Sequence, residues 1–241
     1  MICEMVGIGS FNFIDHLEDG EGIRTLRKYL KEVTVKEAKY CVKHLKTVGF
    51  PPFIYTEKQL HTVVTPAISD ISDAFLLESS VNRKWTAIDR EMDDSHGWVD
   101  YWCIYKDYNY YIELKHGFIS YRSATTRQSV KNEWKIACNQ LDVISDEINE
   151  QRQYAKGIFK IVYHVLPIYI GAKNKDNLVF KKEKMYDIQR NALKEISDNQ
   201  PANWSCLWIL DDELMDYYEF EFGCEKYPAV LFLANISEIQ K

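Results

Sequence analysis

At 241 residues the chain is long enough to bury a full core as one domain. Its formal net charge of −6 excludes a generic basic coat for nucleic acid, but leaves room for a local basic groove. The six cysteines (Cys3, Cys41, Cys103, Cys138, Cys206 and Cys224) form no C-x-x-C pair and show no zinc spacing, so reduced thiols and a cytoplasmic location are expected. No basic n-region precedes an apolar h-region, and no apolar run approaches about 18 residues, so neither a secretory leader nor a membrane span is expected.

In chain order, residues 1–18 carry no clear period. From Gly20 to about Lys46, Ile23, Leu26, Tyr29, Leu30 and Val33 recur at helical spacing. A second run carries Ala38, Cys41, Val42 and Leu45, with Thr34 as a candidate N-cap. Gly49 and Pro51-Pro52 end it, so residues 1–52 read as an N-terminal helical extension that packs or serves a homodimer contact. Thr56-Glu57 opens the next helix, with Leu60, Val63, Val64, Ala67, Ile68 and Ile71 on its apolar face and Pro66 expected to kink or split it. Ala74–Ala87 is strand-like, and a charged connection follows over residues 89–95.

Trp98–Tyr105 and Tyr110–Lys115 alternate like two strands, with a turn expected at Lys106-Asp107-Tyr108-Asn109. His116-Gly117 breaks the pattern. From Ser129 a helix carries the stripe Val130, Trp134, Ala137, Leu141, Ile144 and Ile148. A strand over 157–171, a helix over 183–197 and buried strands at Cys206–Leu210 and Ala229–Ala234 complete the chain. That order predicts an α/β fold, a mixed central sheet flanked by helices.

Strand residues i and i+2 share a face. Asp100 therefore lies with Trp102 and Ile104, and Glu113 with Tyr111 and Lys115. A turn centred near Asp107-Tyr108 sets Asp100 opposite Lys115, with Glu113 as diagonal neighbour. One reading is a cross-strand salt bridge. The other is a divalent-metal site, since Mg²⁺ takes one or two carboxylates plus water and phosphate oxygens. The Glu-x-Lys triplet alone decides nothing, because Glu37-Ala-Lys39 and Glu133-Trp-Lys135 repeat it in helical contexts. Apolar neighbours on both strand faces argue for partial burial, which is costly for charges unless they are paired or metal-bound.

With these residues, 57–171 resembles the PD-(D/E)xK nuclease superfamily, whose restriction-endonuclease-like core runs helix, three-stranded meander, helix, strand. The resemblance covers about half the chain and would place the nuclease-like domain at 53–241. It implies Mg²⁺ (or Mn²⁺)-dependent hydrolysis of phosphodiester bonds, with DNA as the expected partner. Asp100, Glu113 and Lys115 match the motif, and Val99 replaces its proline. The Leu114 carbonyl would be a further ligand. Glu57 is the candidate for the additional acid from the first helix, with Glu78 and Glu91 as rivals, and Gln140 matches the glutamine on the following helix. Between Lys115 and Lys135 the charges are Lys115, Arg122, Arg127, Lys131 and Lys135 against Glu133 alone, a local basic run suited to a phosphate backbone. Lys173, Lys175, Lys181, Lys182 and Lys184 read as a solvated loop, and His96 and His116 as structural. Two alternatives stand beside the nuclease: a catalytically inactive member of that fold acting as a nucleic-acid- or protein-binding module, and a structural hairpin with Asp100 and Glu113 on opposite faces.

Overall fold

The computed structural model describes residues 2–83, 86–87, 90–91, 95–144, 155–197 and 199–238, without side chains at 82–83, 86–87, 90–91 and 95–96. Ile148, the expected end of one apolar stripe, lies outside the described residues, as do the side chains of Glu91 and His96.

The architecture is α/β. A mixed, largely antiparallel sheet of ten strands, not closed into a barrel, carries four α-helices among the described residues. The strands are β1 (Ile2–Met5), β2 (Gly9–Asp15), β3 (Ala74–Arg83), the short pair β4 (Thr86–Ala87) and β5 (Arg90–Glu91), β6 (Ser95–Tyr105), β7 (Tyr108–His116), β8 (Ile119–Ser120), β9 (Gly157–Ala172), β10 (Trp204–Leu210), β11 (Tyr217–Phe220) and β12 (Gly223–Glu238). The helices are α1 (Ile23–Val48), α2 (Glu57–Ile71), α3 (Gln128–Asp142) and α4 (Lys182–Glu195). Sheet order is β1-β2-β10-β12-β9-β7-β6-β3, with β11 on β12, β8 on β9, and β4–β5 a separate two-stranded ladder. Only β7 and β8 run parallel to β9.

The centre of the sheet is where both faces are apolar. β9 is buried from Ile161 through Ile168, and β7 from Tyr108 through Leu114. Alternate side chains feed two separate cores. Tyr110, Ile112, Leu114, Phe159, Ile161 and Val165 pack with α1 and α2. Tyr111, Val162, Leu166 and Ile168 pack with α3 and α4. Pro167 is tolerated in β9 because it falls between the residues paired with β7, which end at Val165, and those paired with β8, which begin at Ile168.

Three expectations change. The N-terminal residues expected as a helical extension also supply two strands of the main sheet, β2 pairing with β10 from Gly9↔Leu210 to Asp15↔Trp204. α1 runs unbroken for 26 residues and belongs to the same core as the sheet. Thr34 is therefore not an N-cap but a fully buried interior residue, its hydroxyl 3.0 Å from that of Tyr163. α2 is likewise continuous across Pro66: tertiary packing of Leu60, Val63, Val64, Ala67 and Ile68 outweighs the loss of one helical hydrogen bond.

Candidate functional site

The β6–β7 hairpin turns at Lys106-Asp107, two residues with positive φ (51° and 67°), so its loop is shorter and earlier than expected. Pairing runs from Tyr105↔Tyr108 to Tyr101↔Ile112. Relative to the expected register this is a shift of two residues. An even shift preserves which face each side chain occupies. The convergence of Asp100, Glu113 and Lys115 therefore survives, but the facing partner changes: one step past Tyr101↔Ile112 stands Glu113, not Lys115, across from Asp100. Trp102 and Tyr111, on the same face, pack into the core beneath α3.

At this point the two strands separate. β6 keeps its ladder with β3 out to Ser95, while its pairing with β7 ends at Tyr101. A backbone N–H of β7 would be left without its ladder acceptor, which is costly in a buried strand. The Asp100 carboxylate takes that role, accepting the Leu114 N–H at 2.7 Å. The expected Asp100–Lys115 salt bridge is replaced by this bond. It is the amide of Leu114 that meets a site carboxylate, while its side chain is fully buried in the α1/α2 core.

Lys115 pairs elsewhere. Its Nζ donates to Glu113 Oε1 at 3.0 Å and lies 4.0 Å from Glu57 Oε1. Glu113 is buried at 4% exposure and the Lys115 side chain is 12% exposed, so this is a largely desolvated group of charges. Burial disfavours the ammonium, but Glu113, Glu57 and Asp100 outweigh it and the Lys115 pKa is raised. The Glu57 pKa is also raised, by burial first, with Asp100 and Glu133 adding to the effect and Lys115 opposing it. Glu57 is held here by a latch: His116 Nε2 donates to the Phe53 carbonyl at 2.9 Å, tying the turn before α2 to the end of β7. Tyr101, hydrogen-bonded to His61 and Thr65 of α2, fixes the same helix to β6 beside Asp100.

The other expected residues spread out. Glu78, opposite Asp100 by register, is exposed at φ 50°, and among the described residues no contact brings its carboxylate to the cluster. Gln140 lies two helical turns, about 10 Å, beyond Glu133 along α3. Its buried Oε1 has no hydrogen-bond partner among the described residues. Glu133, set aside as a chance triplet, is the α3 residue that reaches the field of Glu57. Arg127, Lys131 and Lys135 recur every four residues and so line one ridge of α3. Arg127 is exposed and bonds the Tyr169 hydroxyl, and Arg122 is exposed before the helix. No signal in the sequence pointed to the His116 latch or to Tyr101, because both depend on where the turn before α2 lands.

Glu57, Asp100 and Glu113 offer hard oxygen donors of the kind Mg²⁺ takes. Among the described residues, no three His, Cys, Asp or Glu side chains stand close enough together to hold a metal ion, and the cation nearest Glu113 and Glu57 is Lys115 itself. The chemistry of the donors fits a divalent cation, and a site here would be of the two-carboxylate kind, completed by water and substrate oxygens. No helix among the described residues is long and apolar enough to cross a membrane. No family model, curated protein or solved structure matches the chain.

Proposed function

We propose that the chain is a divalent-metal-dependent nuclease of the PD-(D/E)xK kind, hydrolysing phosphodiester bonds, with DNA as the substrate. The observation that carries this reading is the meeting of Asp100, Glu113 and Lys115 where β6 leaves β7, a half-open end of a buried sheet rather than a solvent-facing ladder. Cross-strand salt bridging alone does not require Lys115 to gather two acids, nor Asp100 to turn onto a backbone amide.

Asp100 and Glu113 would hold Mg²⁺, which when bound stabilises negative charge on a phosphoryl oxygen and acidifies its water. Lys115 keeps its proton near two carboxylates, so it supplies positive charge to the attacked phosphate and a donor to orient water. Glu57 closes the cluster from α2, and His116 holds it there. The ridge of Arg127, Lys131 and Lys135 on α3 offers the phosphate backbone a track toward this end of the sheet.

One observation favours the inactive-module alternative: Lys115 already neutralises the two acids nearest to it. The test is incubation with plasmid, linear duplex and single-stranded substrates, with and without Mg²⁺, beside Lys115→Ala. Magnesium-dependent cleavage lost in the variant is expected. Binding without cleavage, and no thermal shift with Mg²⁺ or Mn²⁺, would establish the module.

A further inference from the structure

Two basic stretches that are separate in sequence meet in the fold. Lys184 Nζ donates to the Arg122 carbonyl at 3.4 Å, and the Lys181 backbone N–H to the Tyr121 hydroxyl at 3.0 Å. The tract expected as a solvated loop thus packs against the loop that precedes α3. The β11–β12 hairpin completes this corner. Phe220 pairs with Gly223, leaving Glu221 and Phe222 as its two-residue tip. Phe222 is 88% exposed and Phe220 56% exposed, an unusual pair of naked rings for a two-residue turn. The tip is pinned, because Gly223 has φ +153° and a Cβ there would come within 2.6 Å of the Ala172 carbonyl.

Between this tip and the end of β9 is an open pocket of about 400 Å³ lined by Arg122, Lys173, Phe220 and Phe222. Its lining acid, Glu225, shares the Phe220 face and accepts the Tyr227 hydroxyl at 2.6 Å, and Glu221 sits between the two rings at the tip. Around it, Lys184 lies 4.5 Å over the ring of Tyr121, Arg127 5.4 Å over Tyr169, Lys175 5.9 Å over Tyr217 and Lys226 5.9 Å over Phe180. Four of the six cation–π pairs among the described residues fall at this end of the sheet, those of Tyr217 and Lys226 on the face opposite Phe220, with Glu219, Glu221 and Glu225 as the acids of the hairpin.

Cations that follow a phosphate backbone, interleaved with rings on which bases stack, are the chemistry of single-stranded nucleic-acid grooves. We infer that this corner is a docking platform for a single strand of nucleic acid, with Phe220 and Phe222 stacking on unpaired bases and Arg122 and Lys173 meeting the phosphates. The inference rests on the nuclease reading for its purpose, since it would deliver a strand to the acidic cluster. Lys115 aligns with His164 on β9, seven residues before Gly171, so the platform lies about 23 Å along the strand from the cluster. That span suits a bound strand within the roughly 4–16 nucleotides such grooves hold.

The test is metal-free fluorescence anisotropy with labelled oligothymidylate and oligouridylate of about 16 nucleotides, and with a blunt duplex. Wild type is compared with Phe220→Ala/Phe222→Ala and Arg122→Ala/Lys173→Ala, each checked for an unchanged melting temperature. The aromatic double variant should lose at least tenfold in affinity for a single strand and little for duplex. The basic double variant should weaken both. The two oligonucleotide arms separate a DNA preference from an RNA preference. Single-strand binding unchanged by loss of both phenylalanines would overturn the platform, including the case in which these rings instead dock a protein. Aromatic-dependent binding by a chain that cleaves nothing would uphold the platform and refute the nuclease.

Discussion

The Asp100 carboxylate substitutes for a missing strand: its Oδ2 accepts the Leu114 N–H at 2.7 Å where β6 has left β7. One side chain thus has a structural task and a proposed chemical one, and the two can be separated. Asp100→Ala removes the acceptor and leaves the amide unpaired, at a cost of about 1–3 kcal/mol. Asp100→Asn keeps an oxygen for Leu114 and should stay within about 1 kcal/mol of wild type. Both should lose metal-dependent cleavage. Urea denaturation reads the first difference and a plasmid assay the second. If Asp100→Asn retained full cleavage, a neutral amide would suffice and a metal-ligand role for Asp100 would be untenable.

Lys115 stabilises the carboxylates of Glu113 and Glu57. Lys115→Ala leaves these acids facing one another partly buried and should lower the melting temperature in the absence of metal. Added Mg²⁺ should then raise it more than it raises that of wild type, because a bound divalent cation restores the lost positive charge. For a chain of this size, 1 kcal/mol corresponds to about 2–4 °C. Equal and negligible metal shifts in both proteins would count against a cation site here.

The sequence shows the hairpin, its face and its three charges, because strand alternation is a two-residue period that survives an even slip. It does not show the register. Lys106-Asp107 is an uncommon pair for a loop whose two central residues both need positive φ, whereas Asp107-Tyr108-Asn109 looks like turn chemistry. The opening strands β1 and β2 were illegible for a different reason. β1 is an edge strand of four residues with no buried position, and the inner partner of β2 is β10, some 190 residues later. The single long α1 was hidden by Thr34, which resembles a cap until Tyr163 supplies a partner inside the core. The basic corner beside α3 was illegible because its parts come from four stretches of chain. A charge run read locally is a solvated loop, and only the packing of β11–β12 against the end of β9 gives it a surface.

That loop chemistry is itself testable. Asn-Gly is the preferred pair where both loop residues take positive φ. Lys106→Asn combined with Asp107→Gly should stabilise the fold by about 1 kcal/mol. The Lys156–Asp107 ion pair it removes is about 60% exposed on both sides and contributes little. The same double variant should cleave as wild type does, because the register and the site face are unchanged. A loss of stability in chemical denaturation would mean that the Lys106 or Asp107 side chain matters more than backbone conformation.

The last expectation concerns pH and lies away from the site. Glu37 is 1% exposed on α1, and its Oε2 accepts the Tyr163 hydroxyl at 3.1 Å. Burial raises its pKa to about 8, with the Tyr163 bond opposing the rise. The folded protein therefore holds this proton more tightly than the unfolded chain. Its contribution to stability is complete below the unfolded carboxyl pKa and is lost as pH rises toward 8. His164, fully buried against Trp134 with its pKa lowered to about 3 by burial, has the opposite sign: its contribution is complete above about 6.5 and is lost as pH falls. The two slopes oppose each other in mildly acid solution, and above about pH 6.5 Glu37 acts without that opposition. Between pH 6.5 and 8 the wild type should lose roughly 2 kcal/mol that Glu37→Gln, which keeps an oxygen for Tyr163, does not lose. Denaturation midpoints across this range give the comparison. Parallel curves for the two proteins would assign the titration to another group and leave Glu37 ionised in the fold.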